Sequence, residues 1–218
     1  MDGLAAQLAW VDPWLAPLNP GSPVAISGLE LVACVLSLLM VGFNMRVNPL
    51  GWPLAILSSA LYGLLFARSR LYGEALLQGV FIAMSCWGWW QWLRGVESSG
   101  ETLRVRILSA QGRQGALVAL LLLWPALGWA LHRVTDSDVP YWDALPTAGS
   151  LIGQWLLARK WVDNWPCWLA VNLISMGLFA YKQLWLTVGL YAVFAALSVW
   201  GWRAWQHRVH GGRVGALA

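Results

Sequence analysis

Charge is scarce in this chain. Asp, Glu, Lys and Arg together make up 11% of its 218 residues, where a soluble domain carries about 25%. So few charged groups cannot coat a globule in water. Cysteine and histidine are scarce too. Cys34, Cys86 and Cys167 lie in or beside apolar runs, and none has metal-type spacing. His132, His207 and His210 pair with no Cys, Asp or Glu at ligand spacing, so neither a metal nor another cofactor is expected. A Ser/His/Asp set, a phosphate loop and a Walker lysine are all missing, so no enzyme is expected. The first 25 residues contain Asp2, Asp12 and four prolines but no Lys or Arg. A signal peptide needs a basic start followed by an apolar stretch. Residues 1–26 therefore read as an extramembrane arm.

Apolar side chains are abundant, at 59%, and they come in long runs. A spanning helix needs about 20 mainly apolar residues. Seven segments qualify: 27–45, 50–67, 73–92, 114–131, 142–159, 164–181 and 185–205. The polar stretch from Arg94 to Gln114 is a loop outside the hydrocarbon. The expected class is an all-α integral membrane protein with seven transmembrane helices. The net charge of +4 comes from basic residues in short loops, which fits membrane topology and not nucleic acid. With seven spans, ten Lys and Arg fall on the side of the C-terminus and four on the other. The positive-inside rule then puts the C-terminus in the cytoplasm and the N-terminus outside. There are 18 tryptophans. Interfacial anchoring accounts for Trp10, Trp14, Trp124, Trp129 and Trp142, but not for those at mid-helix.

The chain also repeats itself. Shifted by 113 residues, Trp52-Pro53 falls on Trp165-Pro166 and Trp87-Gly88-Trp89 on Trp200-Gly201-Trp202. Over Trp52 to Trp92, 15 of 41 positions are identical. Each repeat holds three spans, residues 27–94 and 142–205, with a loop at 95–113, a linking helix at 114–133 and a tail at 206–218. One intervening span gives both repeats the same orientation, a 3+1+3 arrangement of parallel repeats. Such repeats are related by an axis along the membrane normal, and transporters place substrate between them near the midplane.

Polar residues inside spans are costly and face a cavity or a partner. In the sixth span, Trp165, Trp168, Asn172, Ser175 and Phe179 are spaced 3, 4, 3 and 4, which sets them on one face. Their counterparts are Trp52, Ala55, Ser59, Tyr62 and Phe66. Leu169, Val171, Leu173, Met176 and Ala180 form the opposite face, suited to lipid or packing. Two readings stand for the polar stripe: the wall of a cavity for a flat heteroaromatic ligand, or a helix contact glued by Asn172. Thr187 and Tyr191 in the seventh span match Glu74 and Gln78. They are either interfacial polar residues or hydrogen-bond partners for ligand hydroxyls. Glu30 and Glu74 lie near the outer ends of spans, as helix-start acids or as an attraction for a cation. Lys182 snorkels to the outer interface.

The stretch WPCWLAVNLISMGLFAYK, Trp165 to Lys182, resembles the PnuC family of bacterial vitamin transporters. Its continuation QLWLTVGLYAVFAALSVWGW, Gln183 to Trp202, and the preceding QWLLARK, Gln154 to Lys160, fit as well. The resemblance runs from about Leu29 to Trp205. It implies a SWEET-like fold. It also implies facilitated diffusion of nicotinamide riboside across the bacterial inner membrane, with trapping by phosphorylation inside to feed NAD synthesis. Relatives thought to carry thiamine or riboflavin keep the vitamin open. Under this reading Trp165 and Trp168 contact the base, and Asn172 bonds its carboxamide. Gln154, from the Gln-Trp motif, is the second amide partner, and Ser175, Thr187, Tyr191 and Gln78 complete the site. The expected partners are the lipid bilayer and a small vitamin or nucleoside. A homo-oligomer is compatible with the sequence. A membrane ligand sensor is the alternative from another class; a long folded cytoplasmic domain would favour it, and none is expected here.

Overall fold

The computed structural model describes residues 12–16, 18, 27–68, 72–96, 102–135, 139–181 and 185–214. Lys182 and most of the N-terminal arm lie outside the described residues, as does the Glu74 side chain. The described residues are helical: α1 (Asp12–Leu15), α2 (Gly28–Met45), α3 (Gly51–Arg68), α4 (Tyr72–Arg94), α5 (Ala110–Val134), α6 (Pro140–Ala158), α7 (Asn164–Tyr181) and α8 (Trp185–Val214). Helices α2 to α8 have 18, 18, 23, 25, 19, 18 and 30 residues. Eighteen residues rise roughly 27 Å, close to the thickness of a hydrocarbon core. Among the described residues, Gly28–Met45 and Ala110–Val134 are long and apolar enough to cross a membrane by length and composition alone. The others interleave tryptophans and polar side chains.

Two boundaries differ most from the sequence expectation. Helix α5 starts at Ala110, not 114, because Ser109 caps it, its Oγ accepting from Gly112 N at 3.1 Å. Helix α8 continues to Val214 through what reads as a tail. At the start of α2, Ser27 Oγ accepts from Glu30 N at 3.1 Å. That places Glu30 in the first turn, where a carboxylate favours the helix dipole. The short α1 is tied to the end of α3 by a two-pronged pair: Arg68 Nε and Nη2 each donate to Asp12 at 2.6 Å. The hydrogen bonds from Arg68 hold the Asp12 carboxyl below its usual range.

The chain divides into two compact units, Met1–Trp89 and Trp90–Ala218. In the first, α2 packs on α3, and Gly88 of α4 offers a seat for the Trp52 ring, where a Cβ would collide with it. In the second, α5, α6, α7 and α8 pack in succession, so α5 belongs with the C-terminal helices. Gly201 of α8 seats the Trp165 ring in the same way.

Backbone turns 113 residues apart also match. Helix α2 ends with Val47 at φ 57°, and α6 ends with Lys160 at φ 55°. Val47 N bonds to Asn44 O and Asn48 N to Phe43 O, each at 3.0 Å. Lys160 N bonds to Leu157 O and Trp161 N to Leu156 O, also at 3.0 Å. Both are Schellman ends with a left-handed residue after the cap. The second turn carries an addition. The segment before α5 pairs with it through Arg106 N to Lys160 O at 3.1 Å and Val162 N to Arg106 O at 2.9 Å. Asp163 fastens the segment further, accepting from Leu108 N at 2.8 Å and Arg113 Nε at 2.6 Å. Lys160 Nζ bonds to Leu103 O at 3.0 Å and lies over the Trp92 ring. Burial pushes its ammonium below the usual lysine range.

Candidate functional site

Helix α7 opens with Asn164, Trp165 and Pro166. Proline is favoured there because the first helical N–H groups have no partner to lose. The Trp165 ring is 3% exposed. It rests on Gly201 and meets Trp205 edge-on, with centroids 5.6 Å apart. Trp92 completes this cluster 6.1 Å from Trp205, and its Nε1 donates to Leu157 O at 3.1 Å. These tryptophans are packing elements, buried against one another and not set out as interfacial anchors. Trp165 thus has a packing duty that its place on the polar stripe did not suggest.

Beyond Trp165 the stripe turns polar. Asn172 and Ser175 are both buried. Asn172 Nδ2 donates to Ser198 Oγ of α8 at 3.3 Å, and Ser198 Oγ donates to Phe194 O at 2.8 Å. The stripe then becomes aromatic. Phe179 meets Tyr191 at a tilt of 55° with centroids 4.9 Å apart, and Tyr191 meets Phe194 edge-on at 6.0 Å. Helices α7 and α8 therefore face each other with Asn172, Ser175 and Phe179 on one side and Tyr191, Phe194 and Ser198 on the other. Thr187, half-buried, lies one turn before Tyr191.

Helix α6 supplies the flank. The half-buried Trp168 ring covers Gly153, where a Cβ would stand 3.1 Å from it. The next residue, Gln154, is buried. Gln78 belongs to the first unit, where its Cβ lies over Gly63 of α3. On the opposite face of α7, Leu173 is 54% exposed, whereas Val171 is buried against Gly149 of α6. Val171 is a packing residue, and Leu173 is the exposed one.

The sequence reading did not single out Ser198 or Phe194. Their spacing of 3 and 4 from Tyr191 was the available signal. A cavity of about 250 Å³ lies elsewhere, among α5, α6 and α7. It is lined mainly by apolar side chains such as Leu120, Ile152 and Leu156, with Arg113 and Asp163. None of the expected site residues lines it.

The arrangement at α7 and α8 joins one amide, two hydroxyls and a cluster of aromatic rings in a place shielded from water. Groups of these kinds can engage a flat polar ring by stacking and by directed hydrogen bonds.

The family model described as nicotinamide mononucleotide transporter matches residues 27–207. The nicotinamide riboside transporter PnuC of Escherichia coli (strain K12) is 23% identical, over 83% of this chain and 85% of that protein. The riboflavin/roseoflavin transporter RibM of Streptomyces davaonensis is 26% identical, over 82% of this chain and 84% of that protein. The crystal structure of the vitamin B3 transporter PnuC matches with a TM-score of 0.68 at 21% identity. That match covers 94% of this chain and 86% of the other.

Proposed function

Because the chain belongs to the nicotinamide mononucleotide transporter family, we propose that it carries nicotinamide riboside across a bacterial inner membrane by facilitated diffusion. The match over residues 27–207 carries this reading. Helices α2 to α8 are its seven spans, arranged 3+1+3 as parallel repeats. Support comes from the matched turns at Val47 and Lys160 and the matched seats of Trp52 on Gly88 and Trp165 on Gly201. The ten-to-four distribution of basic residues supports an outer N-terminus and a cytoplasmic C-terminus.

In this site the pyridinium of the cargo stacks on Trp168 and the aromatic cluster of Phe179 and Tyr191. A cation over an aromatic face gains about 0.5–2 kcal/mol. Asn172 bonds the carboxamide, with Gln154 as its second partner. Ser175 and Thr187 serve the polar groups of the riboside, and Trp165 braces the site from behind. Pumps use buried Asp, Glu or His relays. The acids here stand at helix ends, so transport runs down the substrate gradient without ion coupling.

A riboflavin-type cargo is the second reading, favoured by the similarity to RibM. One experiment separates the two. Purified protein is titrated with nicotinamide riboside, thiamine and riboflavin, and uptake of the bound compound is then followed in liposomes without an imposed ion gradient. Saturable binding and uptake of the riboside alone are expected. Binding of riboflavin alone would transfer the assignment to the second reading, and binding without uptake would favour a sensor.

A further inference from the structure

Resting on the reading of Asn172 as a cargo contact, we propose that Ser198 is a positioning residue. It holds the Asn172 amide with its carbonyl oxygen outward, so the site selects a cargo that offers a hydrogen-bond donor there. Ser198 has a single hydroxyl proton, and its Oγ stands 2.8 Å from Phe194 O, which can only accept. The proton goes to Phe194, so Oγ meets Asn172 with lone pairs. The Asn172 group at 3.3 Å must then be the NH₂. Turning the amide over would set Oδ1 against those lone pairs and forfeit the bond. Both residues are buried, at 6% and 4% exposure, so water cannot erase the preference.

Oδ1 is therefore the end left for a ligand. Among the described residues Asn172 bonds through its side chain to Ser198, and that bond uses Nδ2. A carbonyl oxygen attracts an N–H or O–H donor and repels a carboxylate. A neutral carboxamide fits, whereas the same ring bearing a carboxylate does not. The fixed polarity belongs to the second half of the chain. At the equivalent positions Ser85 is retained, but Asn172 is replaced by Ser59, whose hydroxyl donates or accepts by rotating.

The test uses the full-length protein in detergent, with nicotinamide riboside and nicotinic acid riboside as paired probes. The parent is expected to bind the amide at least tenfold more tightly. Ser198→Ala frees the Asn172 amide to turn its NH₂ toward the carboxylate, and the preference should fall roughly tenfold. Ser198→Thr keeps a hydroxyl able to bond the carbonyl four residues earlier and should keep the preference. The probes also differ in net charge, but no substitution here changes a charge, so the change in the ratio is what counts. A merely structural role for Ser198 would weaken both probes alike and leave the ratio unmoved. An unmoved ratio in Ser198→Ala with a lost preference in Asn172→Ala overturns the positioning role and leaves the site standing. An unmoved ratio in both removes Asn172 from the site. Failure of the parent to bind either riboside removes the proposed function, and this inference with it. If Ser198→Ala does not fold, Ser198→Cys supplies only a weak donor and acceptor in the same position and should show the same loss of preference.

Discussion

In the first unit the polar side chains between helices close on one another. Ser37 and Ser58 stand 2.7 Å apart, and both reach the Ala33 carbonyl, at 2.9 and 3.0 Å. In the second unit the buried polar link between α7 and α8 spends only one end of an amide, Asn172 Nδ2 on Ser198. Position 171, the counterpart of Ser58, is an apolar valine packed on Gly149. The two units are alike where helices must turn and seat, at Trp52 with Gly88 and Trp165 with Gly201. They differ where a ligand would need a partner. Under the proposed function, matching positions that stay the same would carry the scaffold, and those that diverge toward spare hydrogen-bonding capacity would carry recognition.

The sharpest way to test the shared part is to fill both seats. Gly201→Leu drives a side chain into the Trp165 ring, and Gly88→Leu does the same at Trp52. Overpacking of this kind costs about 1–3 kcal/mol, occasionally more. Both variants should lose several degrees or more of melting temperature in detergent, by similar amounts. A large loss at one glycine with none at the other would break the equivalence of the two seats.

The divergent part predicts a functional difference. Asn172→Ala should weaken binding of the riboside roughly tenfold to a hundredfold, because a buried ligand amide is left unpaired. Ser59→Ala, at the equivalent position, should change it by about twofold at most. Leu173→Ala is the control on the exposed face of α7. Equal losses at Asn172 and Ser59 would mean that both halves contact the cargo equally.

Much of this was legible in the sequence because helix periods and rare residues survive without tertiary information. Apart from the end of α8, the seven long helices start and stop within a few residues of their apolar runs, and the Trp-Pro and Trp-Gly-Trp pairs marked the matching seats. The stripe of Asn172, Ser175 and Phe179 was equally readable from its spacing. The partner across the stripe was not. Ser198 is a small residue that a sequence presents as helix filler, and only the packing of α8 against α7 turns its hydroxyl toward Asn172. The burial of Trp165 was hidden for the same reason, since a face does not say what will cover it. The docking of residues 102–109 on the turn at Lys160 was also out of reach. It depends on pairing between segments far apart in the chain, with no periodicity to announce it.

That docked segment is another difference between the halves, and its loss should be milder. Asp163 holds it through Leu108 N and Arg113, while the equivalent position in the first unit is the exposed Leu50. Arg113 is 59% exposed, so screening limits the pair to about 1 kcal/mol. Asp163→Asn should speed amide hydrogen exchange in residues 103–109 about fivefold while leaving riboside affinity within about twofold. A large drop in affinity instead would make the segment part of the binding machinery.

The smallest effect concerns the two left-handed turns. Val47 and Lys160 share a backbone that side chains with a Cβ seldom adopt, and a β-branched valine is the worse fit. Glycine removes that strain but adds freedom to the unfolded chain, worth roughly 0.5–1 kcal/mol in the other direction. For Val47→Gly the relief should win, since strain at such positions is about 1–3 kcal/mol, and the protein should gain about 1 kcal/mol of stability. Lys160→Gly relieves less, because lysine is unbranched. It also removes the bond from Nζ to Leu103 O and the contact over Trp92. It should be neutral or slightly destabilising. Melting temperatures of the two variants, measured side by side in the same detergent, decide the matter. If Lys160→Gly were the more stabilising of the two, the lysine contacts would contribute nothing, and the second turn would be as free of added duty as the first.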